Sequence, residues 1–320
     1  MKPPYEISRS ILSLVADVAE RVGEISASKL DRPSAKLRRS NRIKTIHSSL
    51  AIEGNKLTEE QVTALLENRR VLGPVKDILE VQNTIELYNR MDEFDGRSIQ
   101  DLLKAHGILM RGLVEGPGRF RASGVGILKG TELSHLAPPP LRVPQLMDAL
   151  FAYLADESEL QLIKSCVFHY EFEYIHPFLD GNGRMGRFWQ TLLLRAYSPV
   201  FEFLPVESLV RERQTAYYES LEQSDKEGDS TSFVEFMLGV ILEALNEVLR
   251  TQRVTLTGSD RLERFREMIG LAAFTRRDYL RAHKQISPAT ASRDLRLAVD
   301  KGLVQMQGDK RTAVYRFSNQ

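Results

Sequence analysis

The chain has 320 residues, 42% apolar and 27% charged, with 44 Lys+Arg against 43 Asp+Glu; that length admits two domains and a sizeable core, and the composition excludes wholesale disorder. No uncharged run reaches ten residues, which excludes a bilayer span of about 20 apolar residues, and the opening MKPPYEISRS lacks an apolar signal core. The single cysteine, Cys166, excludes an internal disulfide and a cysteine-based zinc cluster and points to a reducing, cytoplasmic setting.

In chain order, Ile7, Ile11, Leu14, Val15, Val18, Val22 and Ile25 recur at helical spacing and predict a first amphipathic helix. The run KLRRSNRIK reads as a solvated basic face, and SLAIEGN, Ser49 to Asn55, places Ser49 and Glu53 four apart on one helical face. Thr58 with Gln61 and Ser98 with Asp101 have the form of helix N-caps with first-turn partners. Further helices are expected at roughly 75–94, 143–155, 158–175, 183–197, 207–225 and 230–250. The Gly- and Pro-rich stretch 116–140 departs from this pattern, and alternation around Val125 and Ile127 predicts a short hairpin. A boundary falls near Thr251 to Gly258. Beyond it, residues 255–320 carry 13 Lys+Arg and 7 Asp+Glu, a net +6 in a chain whose total is +1.

The densest chemical signal is HPFLDGNGRMGR, His176 to Arg187. Gly181 and Gly183 allow backbone conformations in which successive N–H groups turn toward one anion at the start of a helix. Arg184 and Arg187, three apart, put two planar donors on the side of that cradle. Asp180 is a hard oxygen ligand suited to a magnesium ion that also touches diphosphate, and His176 is placed to accept a proton from an attacking hydroxyl. Phe178, apolar between polar groups, reads as the anchor that pins the loop into the core. The alternative is a plain interhelical loop with Asp180 and Asn182 as caps.

The twelve residues resemble the Fic-domain signature HxFx(D/E)GNGRxxR at every specified position. This resemblance implies a mainly α fold: a helical bundle with a short β-hairpin flap, followed here by a small C-terminal winged helix-turn-helix domain. It implies transfer of AMP from ATP to a Tyr, Ser or Thr hydroxyl of a target protein, with release of pyrophosphate. His176 would be the base and Asp180 the Mg2+ ligand. Gly181, Asn182, Gly183, Arg184 and Arg187 would bind the phosphates, with Arg187 on the γ-phosphate. Residues 118–128 resemble the flap that takes the target as an added strand. Tyr217 and Tyr218 resemble residues that close the adenine pocket. SLAIEGN resembles the family's inhibitory motif (S/T)xxxE(G/N), in which Glu53, with Ser49, would engage Arg187 and exclude a productively placed ATP. The same glutamate orients a water for AMP removal in some relatives, so net de-AMPylation is an alternative direction.

The expected organisation is 1–97, an N-terminal helical region with the inhibitory helix at about 34–54; 98–250, the catalytic core; and 255–320, the winged helix-turn-helix. Ser287-Pro288 would start a recognition helix presenting Arg293 and Arg296, with Lys310 and Arg311 at a wing tip, a pattern suited to duplex DNA through 275–316. Such domains also serve as protein-interaction modules. A DNA-binding regulator carrying a Fic domain is therefore the competing function. No membrane partner is expected, and a homodimer is one option for the assembly.

Overall fold

The computed structural model describes residues 2–27, 35–129, 132–251, 258–283, 286–308 and 313–318. The chain divides into two compact units, Met1–Gln252 and Arg253–Gln320. Among the described residues no helix is long and apolar enough to cross a membrane.

The first unit is built around α7 (Gln161–Ile175) and α8 (Asn182–Tyr197), which pack side by side. Both are buried on nearly all faces, as expected of helices surrounded by others. Phe168, Phe172, Phe188 and Trp189 are at most 1% exposed; each such side chain contributes about 1.5–3 kcal/mol of transfer free energy. The Trp189 indole N–H donates to the Gly96 carbonyl at 3.0 Å, which satisfies the one polar atom that burial would strand.

Helix α1 (Arg9–Ala27) lies along α11 (Thr231–Thr251), burying Ile11, Val18 and Ile25. Helix α2 (Ala35–Ile52) buries Ile43, Ile46 and Leu50, spaced three and four apart. It packs against α9 (Val206–Glu212), where the Ser48 and Ser208 hydroxyls lie 3.2 Å apart. Helix α2 is thus part of the core rather than an appended segment.

The caps expected at Thr58 and Ser98 are formed: Thr58 makes a capping box with Gln61 ahead of α3 (Glu59–Leu66), and Ser98 accepts from the Asp101 N–H ahead of α5 (Ile99–Leu109). Helices α4 (Val75–Asn89) and α6 (Val143–Ala155) also lie where periodicity places them. Two expectations are corrected. The helix at 207–225 is two, α9 and α10 (Gln214–Glu227), broken at Arg213, whose backbone sits at φ −111° and ψ 31°. The hairpin lies later than 118–128: β1 (Gly126–Lys129) pairs antiparallel with β2 (Glu132–Leu136), with a register shift between Ile127 and Leu128. Residues 118–125 are a non-strand approach to it, which begins in a turn with Gly118 at φ +79°.

In the second unit, α12 (Gly258–Ile269), α13 (Arg276–Ala282) and α14 (Pro288–Asp300) pack with a three-stranded antiparallel sheet in the order β3 (Phe274–Thr275), β5 (Val314–Phe317), β4 (Val304–Gln307). Its core is Phe265, Phe274, Tyr279, Leu295, Val304 and Phe317. Ser287 caps α14 by accepting from the Thr290 N–H, with Pro288 in the first turn. A buried ion pair, Arg261 to Asp294 at 2.6 Å, fastens α12 to α14.

Candidate active site

The site is the loop between α7 and α8 with the elements that close on it. Helix α7 ends at Ile175 because His176 turns left-handed, φ 50° and ψ 60°, as its cap. Phe178 is fully buried, stacked on His106 at 3.6 Å between ring centres and 7° between planes. Asn182 closes the turn with both ends of its amide: the Phe178 N–H donates to Oδ1 at 2.9 Å, and Nδ2 donates to the Phe178 carbonyl at 2.9 Å. The Asn182 side chain thus clasps the turn, and its backbone N–H lies at the start of α8. Gly181 is required as glycine: its φ is +84°, and a Cβ there would lie 2.6 Å from Met110 Sδ. Helix α8 then begins with its first-turn N–H groups at the loop, the partial positive charge that attracts anions.

Glu53 stands against this helix start. A Cβ on Gly183 would fall 2.3 Å from Glu53 Oε1, so the carboxylate rests directly on that glycine. Arg187, 3% exposed, donates from Nη2 to Glu53 Oε1 at 2.6 Å and to the Ser49 carbonyl at 2.9 Å, and from Nε to Ser49 Oγ at 3.1 Å. Burial works against the Arg187 charge, and its neighbours, Glu53 foremost with Tyr217 and Glu173, together outweigh it, so the guanidinium is more basic than usual. Helix α2 stops one residue before Glu53, and Gly54, at φ +87°, turns the chain away. After this left-handed turn the Glu53 carboxylate, its side chain 33% exposed, lies against Arg187 and the start of α8.

Arg184 is held by two acids: Nη2 donates to Asp180 Oδ1 at 2.9 Å, and Nη1 lies 3.2 Å from Glu80 Oε1. The Glu80 contact lacks hydrogen-bond geometry, so among the described residues the buried Nε and Nη1 keep unfilled donors. Glu80 also accepts from Asn55 Nδ2 at 2.8 Å, which ties the residue following the SLAIEG turn to the same arginine. The Asp180 carboxylate, 46% exposed, takes the Gly181 N–H and Arg184 on one oxygen. No group of three metal-ligating side chains occurs among the described residues. The Asp180 carboxylate is a hard oxygen donor of the type a magnesium ion takes singly, with phosphate and water completing its shell.

His176 Nδ1 lies 3.3 Å from the Glu173 carbonyl. A carbonyl only accepts, so in the neutral ring Nδ1 carries the proton and Nε2 the lone pair. Three residues that spacing did not reveal hold this loop: Glu80, His106 and Arg121. The Gly118 N–H donates to His106 Nδ1 at 2.9 Å, and Nε2–H donates to the Asp180 carbonyl at 3.0 Å. Accepting at Nδ1 requires the neutral ring, and burial favours it by pushing the His106 pKa down to about 4. Arg121, 3% exposed, donates to the carbonyls of His176 and Pro138, among others. In sequence His106 is one residue on an apolar helix and Arg121 one basic residue in a glycine-rich stretch, with no local mark of either partner.

Of the two tyrosines, Tyr217 is buried: it is 1% exposed, and its hydroxyl donates to His169 Nε2 at 3.1 Å. Its ring packs in the core, against Phe233 and Phe236. Tyr218, 39% exposed and edge-on to Tyr217, remains at the surface. In the second unit Arg293 and Arg296 are exposed on α14, whereas Lys310 and Arg311 lie outside the described residues.

Residues 97–194 match the Fic/DOC family. The chain is 42% identical to a Fic family protein from Desulfovibrio desulfuricans G20, whose crystal structure aligns with a TM-score of 0.76 over 100% of this chain and 99% of that one. It is 30% identical over 247 residues to protein adenylyltransferase fic-1 of Caenorhabditis elegans, covering 72% of this chain and 45% of that protein. To protein adenylyltransferase Fic of Drosophila erecta it is 30% identical over 227 residues, 66% of this chain and 43% of that one. The solved Fic-1 of C. elegans, at 21% identity and TM-score 0.61, shares the fold. The chain belongs to the Fic family, and it spans about half the length of the curated relatives it matches.

Proposed function

We propose that this protein transfers AMP from ATP to a hydroxyl side chain of a target protein and that Glu53 holds it in an inhibited state. The observation that carries the reading is the convergence at one helix start: a base of defined tautomer, a glycine turn leading into first-turn amides, and a buried arginine whose partner is a carboxylate in place of a phosphate. The unfilled donors of Arg184 add to it, because a desolvated guanidinium is stabilised by an anion at those nitrogens.

In the reaction, His176 Nε2 takes the proton of the target hydroxyl as its oxygen bonds to the α-phosphorus, and the bond to pyrophosphate breaks. The α8 amides and Arg184 hold the phosphate oxygens where negative charge gathers. Asp180 would hold magnesium, which when bound neutralises charge on the phosphates. Arg187 would take the γ-phosphate once Glu53 leaves. The names of the curated relatives at 30% identity support adenylyl transfer.

The test is intact-mass analysis of Glu53→Gly protein incubated with ATP and Mg2+. A gain of one AMP, on the chain itself or an added protein, is expected, and it should disappear when His176→Ala is added. No AMP gained by either protein, or equal labelling without His176, would refute the proposal.

A further inference from the structure

The least expected group in the first unit is Arg121. Its guanidinium is buried, and among the described residues every acceptor it reaches is a main-chain carbonyl: Nε donates to His176 at 2.7 Å, Nη1 to Ser123 at 2.9 Å, and Nη2 to Pro138 at 2.5 Å and Ile175 at 3.3 Å. Its own N–H donates to the Pro177 carbonyl at 2.9 Å. Burial lowers its pKa, and an arginine nevertheless stays charged. A buried cation held only by carbonyls is costly for a purely architectural role, which an apolar side chain would fill at less desolvation cost.

The identity of the acceptors explains the choice. Ser123 lies three residues before β1 and Pro138 two after β2, so one guanidinium joins both feet of the hairpin. Ile175, His176 and Pro177 are the last residue of α7, the base and its successor. His176 sits at φ 50°, a conformation that a non-glycine residue keeps only when its surroundings over-determine it. The planar fork reaches acceptors on separate sides at once; an ammonium offers three donors from a single point.

We propose that Arg121 is a positioning residue that makes the His176 backbone and both hairpin feet one piece, so that a target segment held on the hairpin arrives in register with the base. The inference rests on the adenylyl-transfer reading for its kinetic consequence, and on geometry alone for its mechanical one. Arg121 touches no reacting atom in this scheme. It acts through His176 and the hairpin, and the phosphate contacts at α8 are not its partners.

The experiment uses the full chain carrying Glu53→Gly, with Arg121→Lys and Arg121→Met compared at equal folded fraction. The transfer rate at saturating ATP should fall in the order Arg, Lys, Met, by about tenfold or more for Lys, because misplacing a base by about 1 Å costs on the order of a hundredfold. The KM for ATP should move by less than about twofold, a split that general loss of structure would not give. Amide exchange at 122–126 should speed up in both variants while α7 and α8 stay protected. Rates within about twofold of the parent in both variants, or a fall shared equally by ATP binding, would overturn the proposal. If Arg121→Met does not fold, Arg121→Lys decides alone. If the Glu53→Gly parent transfers no AMP, the functional reading has failed and amide exchange decides: unchanged protection at 122–126 in the folded variants overturns the mechanical role too.

Discussion

The two sides of the loop between α7 and α8 are held by opposite kinds of bond. On the side of α8, Arg187 and Arg184 are paired with the carboxylates of Glu53, Glu80 and Asp180. On the side of the hairpin, Arg121 and His106 are bonded to main-chain carbonyls and an amide. A carboxylate on an arginine can be exchanged for a phosphate oxygen of similar charge and geometry, whereas a carbonyl of the chain itself has no ligand that replaces it. Under the proposed function, the first side changes partners and the second stays fixed. The same residue type, arginine, serves both because its partners differ.

Breaking the fixed side at its functional end should have the largest effect. His176→Ala in the Glu53→Gly background should lower AMP transfer by about 10²–10⁴-fold while ATP binding persists, measured by single-turnover labelling beside a binding titration. A loss of ATP binding of the same size would place His176 on the exchangeable side instead.

Acid should expose how far the fixed side depends on neutral rings. Burial holds His106 at about 4 and His169 at about 3 against an ordinary value of 6.5. Each folded-state pKa is depressed, so the unfolded chain binds more protons below 6.5, and stability is lost as pH falls from there toward the folded values. At pH 5 each ring should destabilise the fold by about 2 kcal/mol. Thermal melts at pH 7 and pH 5 check this, and His169→Gln should reduce the difference. A pH-independent melting temperature would mean the rings are not held neutral.

The smallest expected effect concerns two exposed arginines of the second unit. Arg293 and Arg296 stand exposed on α14, and if the basic C-terminal unit binds duplex DNA, replacing either by Ala should flatten the log-log salt dependence of the full chain's affinity by about 0.9 for each phosphate that is no longer neutralised. Absence of binding at low salt would leave this unit as a protein-interaction module.

What could be read in the sequence follows the same division. His176, Phe178, Asp180, Gly181 and the two arginines are contiguous, so one turn of chain brings them together and their chemistry is visible in order. Glu53 is distant in sequence, yet the Gly54 that aims it is its neighbour, which left a local trace. Arg121, His106 and Glu80 reach the loop only through tertiary packing, and nothing beside them in the chain announces a partner. The side chain of Asn182 was legible as polar but not as the clasp on Phe178. Tyr217 shows the converse: an aromatic pair suited a pocket wall, and the packing of α10 on α11 turned one ring into the core. Periodicity located most helices but not the break at Arg213, since apolar spacing runs through it unchanged.

The most direct test of the exchangeable side compares ATP and ADP binding to wild-type and Glu53→Gly protein by calorimetry with Mg2+ present. If Glu53 occupies the γ-phosphate's place on Arg187, its removal should tighten ATP binding by about tenfold, the equivalent of about 1.4 kcal/mol, and leave ADP, which has no γ-phosphate, within about twofold of wild type. Equal gains for both nucleotides, or no gain for ATP, would contradict the exchange of a carboxylate for a phosphate on Arg187.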